Sequence, residues 1–599
     1  MPETQPFDVI VRRGRWFDGT GAPGVVRDLG IRDGVVVEVS TDALPVDGCP
    51  EVIDAEGKWV VPGFVDIHTH YDAEILVDPG LGESVRHGVT TIVMGSCSLS
   101  TIYSGPEDAA DMFSRVEAVP YEHVIRTLEE RRTWTDPASY VAALESMPLG
   151  PNVTCFLGHS DLRAHVMGLG RSVDPDVDAT PAEVARMNAL LDEALDAGLL
   201  GLSTMTTKLD KVGGTRYRSR PLPSTHAKWS EYRRLNETLR RRDRILQSAP
   251  DARMPINVLQ FIRESIGLRR KALKTSLLVA ADPKSVPGGA NAGRAIAGAN
   301  RRLKCDVRLQ HVPVPFELYA DGIDLPVFEE LGAGRAALHL RDEVERNELM
   351  RDEEYRRKFR RQYANKAMPG LWHKDLHDAE IVDCPDASTI GKSFGAVALE
   401  RDIHPVDAFL DLIVEHGGAN VRWRTTVANH RPEVLDTMAS DPGIQIGFSD
   451  AGAHLRNMAF YNTGLRFLGR MRDAEAKGAP VLPIERAVHR LTGELGEWMG
   501  IDAGFLREGD RADLVVIDPD GLDDSMADYH EAEMPAFGGL SRMVRRNDAA
   551  VEATCVAGSI VFRRGEFVDG YGTDRRTGQF LRAGQHHRSA PATAEGVPA

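Results

Sequence analysis

VPGFVDIHTHYD, Val61 to Asp72, opens with a Pro-Gly pair, continues as an apolar run and ends in two histidines one residue apart. Side chains alternate faces along a strand, so His68 and His70 point to the same side. At the C-terminal end of a barrel strand that side is the barrel mouth, where active sites sit. Two neutral imidazoles on one face make a natural half of a metal site. Two surface histidines in a loop would be the plainer reading, but the surroundings of the motif argue against it. The next candidate strand, in HGVTTIVMGSCSLS, ends at Cys97, and far along the chain GIQIGFSDAGAH places Asp450 at the end of another. All four groups are plausible ligands, and each falls at an expected strand terminus.

Working outward, strands and helices alternate. GFVDIH reads as a strand and LGESVRHG as a helix closed by Gly88. VTTIVMGSC and NVTCFLGHS read as further strands, and TPAEVARMNALLDEALDAG as an amphipathic helix capped by Thr180. LLGLSTM, RILQSAP, TSLLVAAD, DVRLQHVPV and IQIGFSD complete a count of about eight strands, that of a (β/α)8 barrel. Both ends of the chain are instead rich in short strands and Gly turns. The expected organisation is therefore α/β: a catalytic barrel over 61–499, inserted into a small β-sandwich domain built from 1–60 and 500–575. A polar, helix-rich insert is expected over about 316–428, and a disordered tail over 576–599. The basic run at Arg356, Arg357, Lys358, Arg360 and Arg361 reads as a solvated helix face with acidic partners nearby.

A chain of 599 residues exceeds a single compact core. Its net charge of −17 disfavours nucleic acid or an anionic membrane as partner. No apolar run reaches membrane-spanning length, and the N-terminus lacks the pattern of a secretory signal. The six cysteines are scattered with no CxxC spacing, which fits a reducing cytoplasm.

Taken together, VVPGFVDIHTHYD, HGVTTIVMGSCSLS, FLGHSDLR, GLLGLSTM, GFSDAGAH, GFLREGDRADLVVID and VAGSIVFRRGEF resemble the amidohydrolase superfamily, and within it the N-acyl-D-amino-acid deacylases. The resemblance covers nearly the whole chain except the insert. It implies a metal-bearing barrel that hydrolyses a small linear amide, with zinc as the metal. It also implies that His68 and His70 hold one zinc, that Cys97 is a thiolate ligand able to bridge two metals, and that Asp450 contacts the metal and its water and acts as general base.

The chain departs from that pattern where two further histidines are expected, on strands five and six. RILQSAP offers Gln247 and Ser248, and TSLLVAADPKS offers Asp282. Either Asp282 replaces an imidazole, or the site is mononuclear with His68, His70, Cys97 and Asp450. One metal is the preferred reading. His159 is a candidate for polarising the substrate carbonyl or holding the substrate, with a structural histidine as the alternative. Arg456 and Arg163 are candidates for a substrate carboxylate, and His454 for orienting Asp450. Lys208 as a carboxylated bridge ranks low, and His311 and Cys155 read as core. Competing functions are a cyclic-amide hydrolase of the dihydropyrimidinase type, which needs the lysine bridge and both later histidines, and a non-catalytic barrel scaffold.

Overall fold

A computed structural model describes residues 6–208, 210–251, 254–286, 290–340, 342–365 and 370–585. Eight parallel strands close into a barrel. Strand one is Phe64–Asp66 continued by His68–Thr69, strand two Val89–Met94, and strand three Asn152–Cys155 continued by Leu157–Gly158. Strands four to seven are Gly201–Met205, Ile245–Ala249, Lys274–Leu277 and Asp306–His311. Strand eight is Ile444–Ile446 continued by Phe448–Ala451. Neighbouring pairs run Asp66 to Ile92, Ile92 to Val153, Leu202 to Leu246, Leu246 to Thr275, Thr275 to Val307 and Leu309 to Ile444. Pairing of Phe448 with His68 closes the ring. All the expected barrel strands are present, because buried parallel strands read as short β-branched runs between turn signals.

Local chemistry sets the connections. Helix Pro181–Asp196 starts in a capping box: the Glu183 backbone N–H donates to Thr180 Oγ1 at 3.2 Å, and the Thr180 N–H donates back to the Glu183 carboxylate at 2.8 Å. Gly88 has φ +85°, and a Cβ there would meet Val515 at 3.0 Å, so the turn into strand two requires glycine.

Strands from both chain ends combine in one nine-stranded sheet. The join is antiparallel: Leu514 pairs with Pro62 and Ile517 with Trp59. Strand Trp59–Pro62 thus leads straight from that sheet into barrel strand one. Residues 576–585 correct the expectation of a free tail. Leu581 N–H donates to Val153 O at 2.8 Å and Ala583 N–H to Gly198 O at 2.8 Å, so this segment is tied to the barrel. The remainder of that tail, 586–599, lies outside the described residues.

The insert also differs from expectation. It is not helical throughout, for strands Phe316–Asp321, Glu380–Asp383 and Arg422–Ala428 form an antiparallel sheet with the last in the middle. Helices Gly332–His339, Glu343–Arg351, Glu353–Ala364, Phe394–Arg401 and Pro405–His416 accompany it. A separate apolar core holds these together around Phe328, Trp372, Phe394, Phe409 and Trp423. The Trp423 indole N–H donates to Gly322 O at 2.7 Å. The basic run finds its acidic partners on the neighbouring helix: Arg356 lies 2.7 Å from Asp411, and Arg360 lies 2.7 Å from Asp407. Trp423 is fully buried, so Trp423→Ala is expected to destabilise the insert by about 3–5 kcal/mol. Chemical unfolding followed by tryptophan fluorescence checks this, and an unchanged midpoint would show that the insert does not depend on this core.

Candidate metal centre

His68, His70 and Cys97 converge at the mouth of the barrel. All three are buried, and their donor atoms lie within 4.8 Å of one another. Among the described residues this is the one cluster of three or more His, Cys, Asp or Glu groups with such spacing. Strand periodicity brings the two imidazoles to one face, as the sequence implied. The Cys97 loop reaches them by an uncommon route. Cys97 and Ser98 have φ +52° and +70°, left-handed values that are sterically costly for these residues. Asp450 and His454 share this feature, at φ +60° and +51°. Three of these four, Cys97, Asp450 and His454, line one cavity, a place where the surrounding structure imposes the backbone geometry.

The ring orientations suit metal binding. His68 Nδ1–H donates to Gln310 Oε1 at 2.7 Å, which fixes the tautomer and leaves Nε2 free. Nε2 faces Cys97 Sγ at 3.4 Å and Asp450 Oδ1 at 3.6 Å. Burial pushes the His68 imidazole down to about 3, so it stays neutral and able to ligate. His70 Nε2 lies 3.2 Å from Asp450 Oδ1, and its Nδ1 is 3.3 Å from Glu117 Oε1. Neither His70 Nδ1 nor Glu117 Oε1 makes a hydrogen bond, although both are buried. Burial, reinforced by Glu117 and Asp450, pushes the Cys97 thiol well up. A thiol in such a place becomes a thiolate only beside a cation. Soft sulfur, two imidazoles and a carboxylate are a donor set suited to zinc, so the residues present fit a resident divalent metal.

Two carboxylates that the sequence reading missed complete the surroundings. Glu117 follows helix Pro106–Val116, and burial pushes its carboxyl up to about 8, with His70 opposing and Asp450 adding to the rise. Asp210 is pushed up to about 7 by burial and then by Asp450. Neither lies at a strand end, and nothing in their local sequence separates them from ordinary surface acids. Gln310 was more accessible to reasoning, being a polar residue on the apolar strand DVRLQHV. His454 sits beside them, its Nε2 3.8 Å from Asp450 Oδ2 and 3.9 Å from Glu117 Oε2.

Several candidates are placed elsewhere. Asp282 does not join the cluster: Arg431 donates to both of its carboxylate oxygens, at 2.7 and 2.5 Å. His159 is wholly buried, with Thr204 Oγ1 at 3.0 Å from Nδ1 and Glu231 at 2.8 Å from Nε2, so both ring nitrogens are engaged. Arg163 is buried and donates to that same Glu231 at 2.5 Å. These two form a buried ion-pair network through Glu231, and neither lines the cavity beside the cluster. Arg456 is clamped between Asp321 and Glu531, each at 2.8 Å, and so has no free fork for a substrate carboxylate. The strand-five position is also occupied by other work. Gln247 Oε1 accepts from the Cys97 N–H at 3.2 Å, and its Nε2 donates to Ser96 Oγ at 3.3 Å. On strand six Ser276 Oγ accepts from Gln310 Nε2 at 3.0 Å. Gln247 thus braces the Cys97 loop, and Ser276 braces Gln310, the partner of His68.

The cluster opens into a cavity of about 280 Å³ lined by His70, Cys97, Glu117, Asp210, Asp450 and His454 and, away from them, by mostly apolar residues together with Glu330.

A closed parallel barrel carrying His-x-His on strand one, a cysteine after strand two and an aspartate on strand eight defines a metal-dependent hydrolase. The Amidohydrolase family model matches residues 51–219. An uncharacterized protein of Mycobacterium tuberculosis is 60% identical over 593 residues, which is 98% of this chain and 97% of that protein. A solved D-aminoacylase, described with a binuclear metal center, superposes with a TM-score of 0.62 at 22% identity, covering 96% of this chain and all of that one. An N-acyl-D-glutamate deacylase from Bordetella bronchiseptica, complexed with zinc and a phosphonate inhibitor, gives a TM-score of 0.62 at 23% identity over 97% of this chain and 100% of its own. The chain belongs to the amidohydrolase family, hydrolases of carbon–nitrogen bonds other than peptide bonds. Among the described residues no helix is long and apolar enough to cross a membrane.

Proposed function

We propose that this protein hydrolyses a small linear amide, an N-acyl amino acid, using one zinc ion or similar divalent metal held by His68, His70 and Cys97 with Asp450. The observation that carries the reading is the buried His68–His70–Cys97 donor set, with Asp450 reaching over it into the cavity. A divalent metal there brings the pKa of water toward neutrality and polarises an amide carbonyl. Asp450 Oδ1 accepts the proton of the attacking water and passes it to the leaving nitrogen, which must be protonated to depart. His454 flanks the Asp450 carboxylate and keeps it turned toward the cavity. Gln310 holds His68 in the ligating tautomer. The two solved structures are named a D-aminoacylase and an N-acyl-D-glutamate deacylase, and these names support the D configuration at the amino-acid carbon.

Engagement of Gln247, Ser276 and Asp282 in protein hydrogen bonds and an ion pair supports a single metal. The cyclic-amide alternative fits less well, because Lys208 is exposed and does not line the cavity. A scaffold reading does not account for the left-handed strain kept at Cys97, Asp450 and His454.

The test, with zinc-reconstituted protein, is release of free amino acid from a panel of N-acetyl-D- and L-amino acids, and ring opening of dihydrouracil to its N-carbamoyl β-amino acid. Turnover of one or more N-acetyl-D-amino acids is expected. Turnover of dihydrouracil alone would establish the cyclic-amide reading instead, and no turnover of any member would leave only the scaffold.

A further inference from the structure

His68 and His70 stand in the same cluster but lean on different partners. His68 Nδ1–H donates to a neutral amide, Gln310 Oε1, at 2.7 Å. His70 Nδ1 instead faces a carboxylate, Glu117 Oε1, at 3.3 Å, and neither of these two atoms has a hydrogen bond to any other group. The other ring nitrogen of His70, Nε2, is turned to Asp450 at 3.2 Å.

A tautomer follows from this placement. A neutral imidazole that ligates through Nε2 carries its proton on Nδ1. That N–H is buried, for the His70 side chain is 1% exposed, and a buried donor without an acceptor is costly. Glu117 is the acceptor within reach. Contacts of this kind are often long and out of line until a site is filled.

The fold gains nothing else from the Glu117 carboxylate. Its side chain is 2% exposed, and its ion-pair neighbours among the described residues are two histidines, His70 at 3.3 Å and His454 at 3.9 Å, with no Lys or Arg. A buried carboxylate so placed costs stability unless a cation compensates it. The main chain carries it in by an irregular path. Helix Pro106–Val116 ends one residue before it, and Ala118, one residue after, has φ +52°. Glu117 O accepts from the His454 N–H at 2.5 Å, so the backbone here is tied to the segment after Asp450 whatever the side chain does.

We infer that Glu117 is a positioning residue of the metal centre: its carboxylate accepts the His70 Nδ1–H and sets that ring with Nε2 toward the metal. This rests on the reading of His70 as a ligand and extends it. A carboxylate behind an imidazole raises its basicity as a ligand, and a neutral amide does so less. The two imidazoles of the centre are therefore unequal, and retention of the metal depends on a residue that does not touch it. Asp210 lines the same cavity but forms no ion pair with His70, so it has no such part.

Zinc affinity of the full chain, measured by competition with a chromogenic chelator at one fixed pH, reads the effect without turnover. Glu117→Gln keeps an oxygen able to accept from Nδ1–H and removes the charge, whereas Glu117→Ala removes both. The Gln variant should hold zinc about ten- to a hundredfold more weakly than the wild type, and the Ala variant more weakly again. The unfolding midpoint of the metal-free Gln variant should not fall below that of the metal-free wild type, because a buried charge is gone and the backbone bond to His454 stays. Asp210→Asn should cost less zinc affinity than Glu117→Gln. Undiminished zinc affinity in Glu117→Gln overturns the inference. So does an equal loss in Asp210→Asn, which would make Glu117 one more negative charge near the metal, and so does a lowered metal-free midpoint, which would make its role structural. If the variants lose zinc in the stated order while no amide is cleaved, Glu117 stands as assigned and the hydrolase reading is what fails. Wild-type protein that takes up no zinc overturns both.

Discussion

An Asp450→Asn variant is expected to fold as the wild type does and to hydrolyse its amide substrate about two to four orders of magnitude more slowly, the range for removal of a general acid–base group. Retention of the fold follows from the backbone. Asp450 has φ +60°, and asparagine is among the few side chains that tolerate this region. The substitution also keeps the shape that fits beside His70 Nε2 at 3.2 Å. What it removes is the ability to accept a proton, which an amide lacks at neutral pH. Unchanged far-UV circular dichroism and unfolding midpoint, with steady-state rates on the best N-acyl amino acid, form the measurement. Near-normal turnover would show that another group takes the proton, and Glu117 would be the next residue to replace.

Metal content gives the second large effect. Wild-type protein is expected to hold about one zinc per chain, and His70→Ala to hold little or none after dialysis against a weak chelator. A structural or catalytic zinc site of this kind depends on three or four protein ligands, and loss of one leaves the rest too few. Elemental analysis per chain reads the result directly. Two equivalents in the wild type would mean that a second position exists despite the engagement of Gln247, Ser276 and Asp282, with Glu117 and His454 the remaining donors near the first. An undiminished content in His70→Ala would move the metal away from the barrel mouth.

The outcome for individual residues shows which kinds of inference hold from sequence. His68 and His70 were placed on one face by a period of two alone, and Cys97 and Asp450 by strand ends that local patterning makes visible. The strands themselves were legible because buried parallel strands are short, β-branched and bounded by glycine and proline. Asp282 failed as a ligand because a strand-end position says nothing of what waits opposite. Arg431 comes from more than a hundred residues away and takes both carboxylate oxygens. Arg456 and His159 failed for the same reason, each meeting acidic partners on other elements.

The sequence by itself therefore determined the barrel, its order of strands, the joining of strands from both termini and the residues that cluster at the barrel mouth, all of which depend on local periodicity and turn chemistry. Only the tertiary structure decided the partners of buried charges, the small sheet and separate core of the insert, and the placement of Glu117 and Asp210 at the site. It alone brought Phe316 and Leu371 of the insert to the cavity beside His70 and Cys97. Such contacts join residues far apart in the chain, and a pairwise contact at long range leaves no periodic signal in either of the segments it joins.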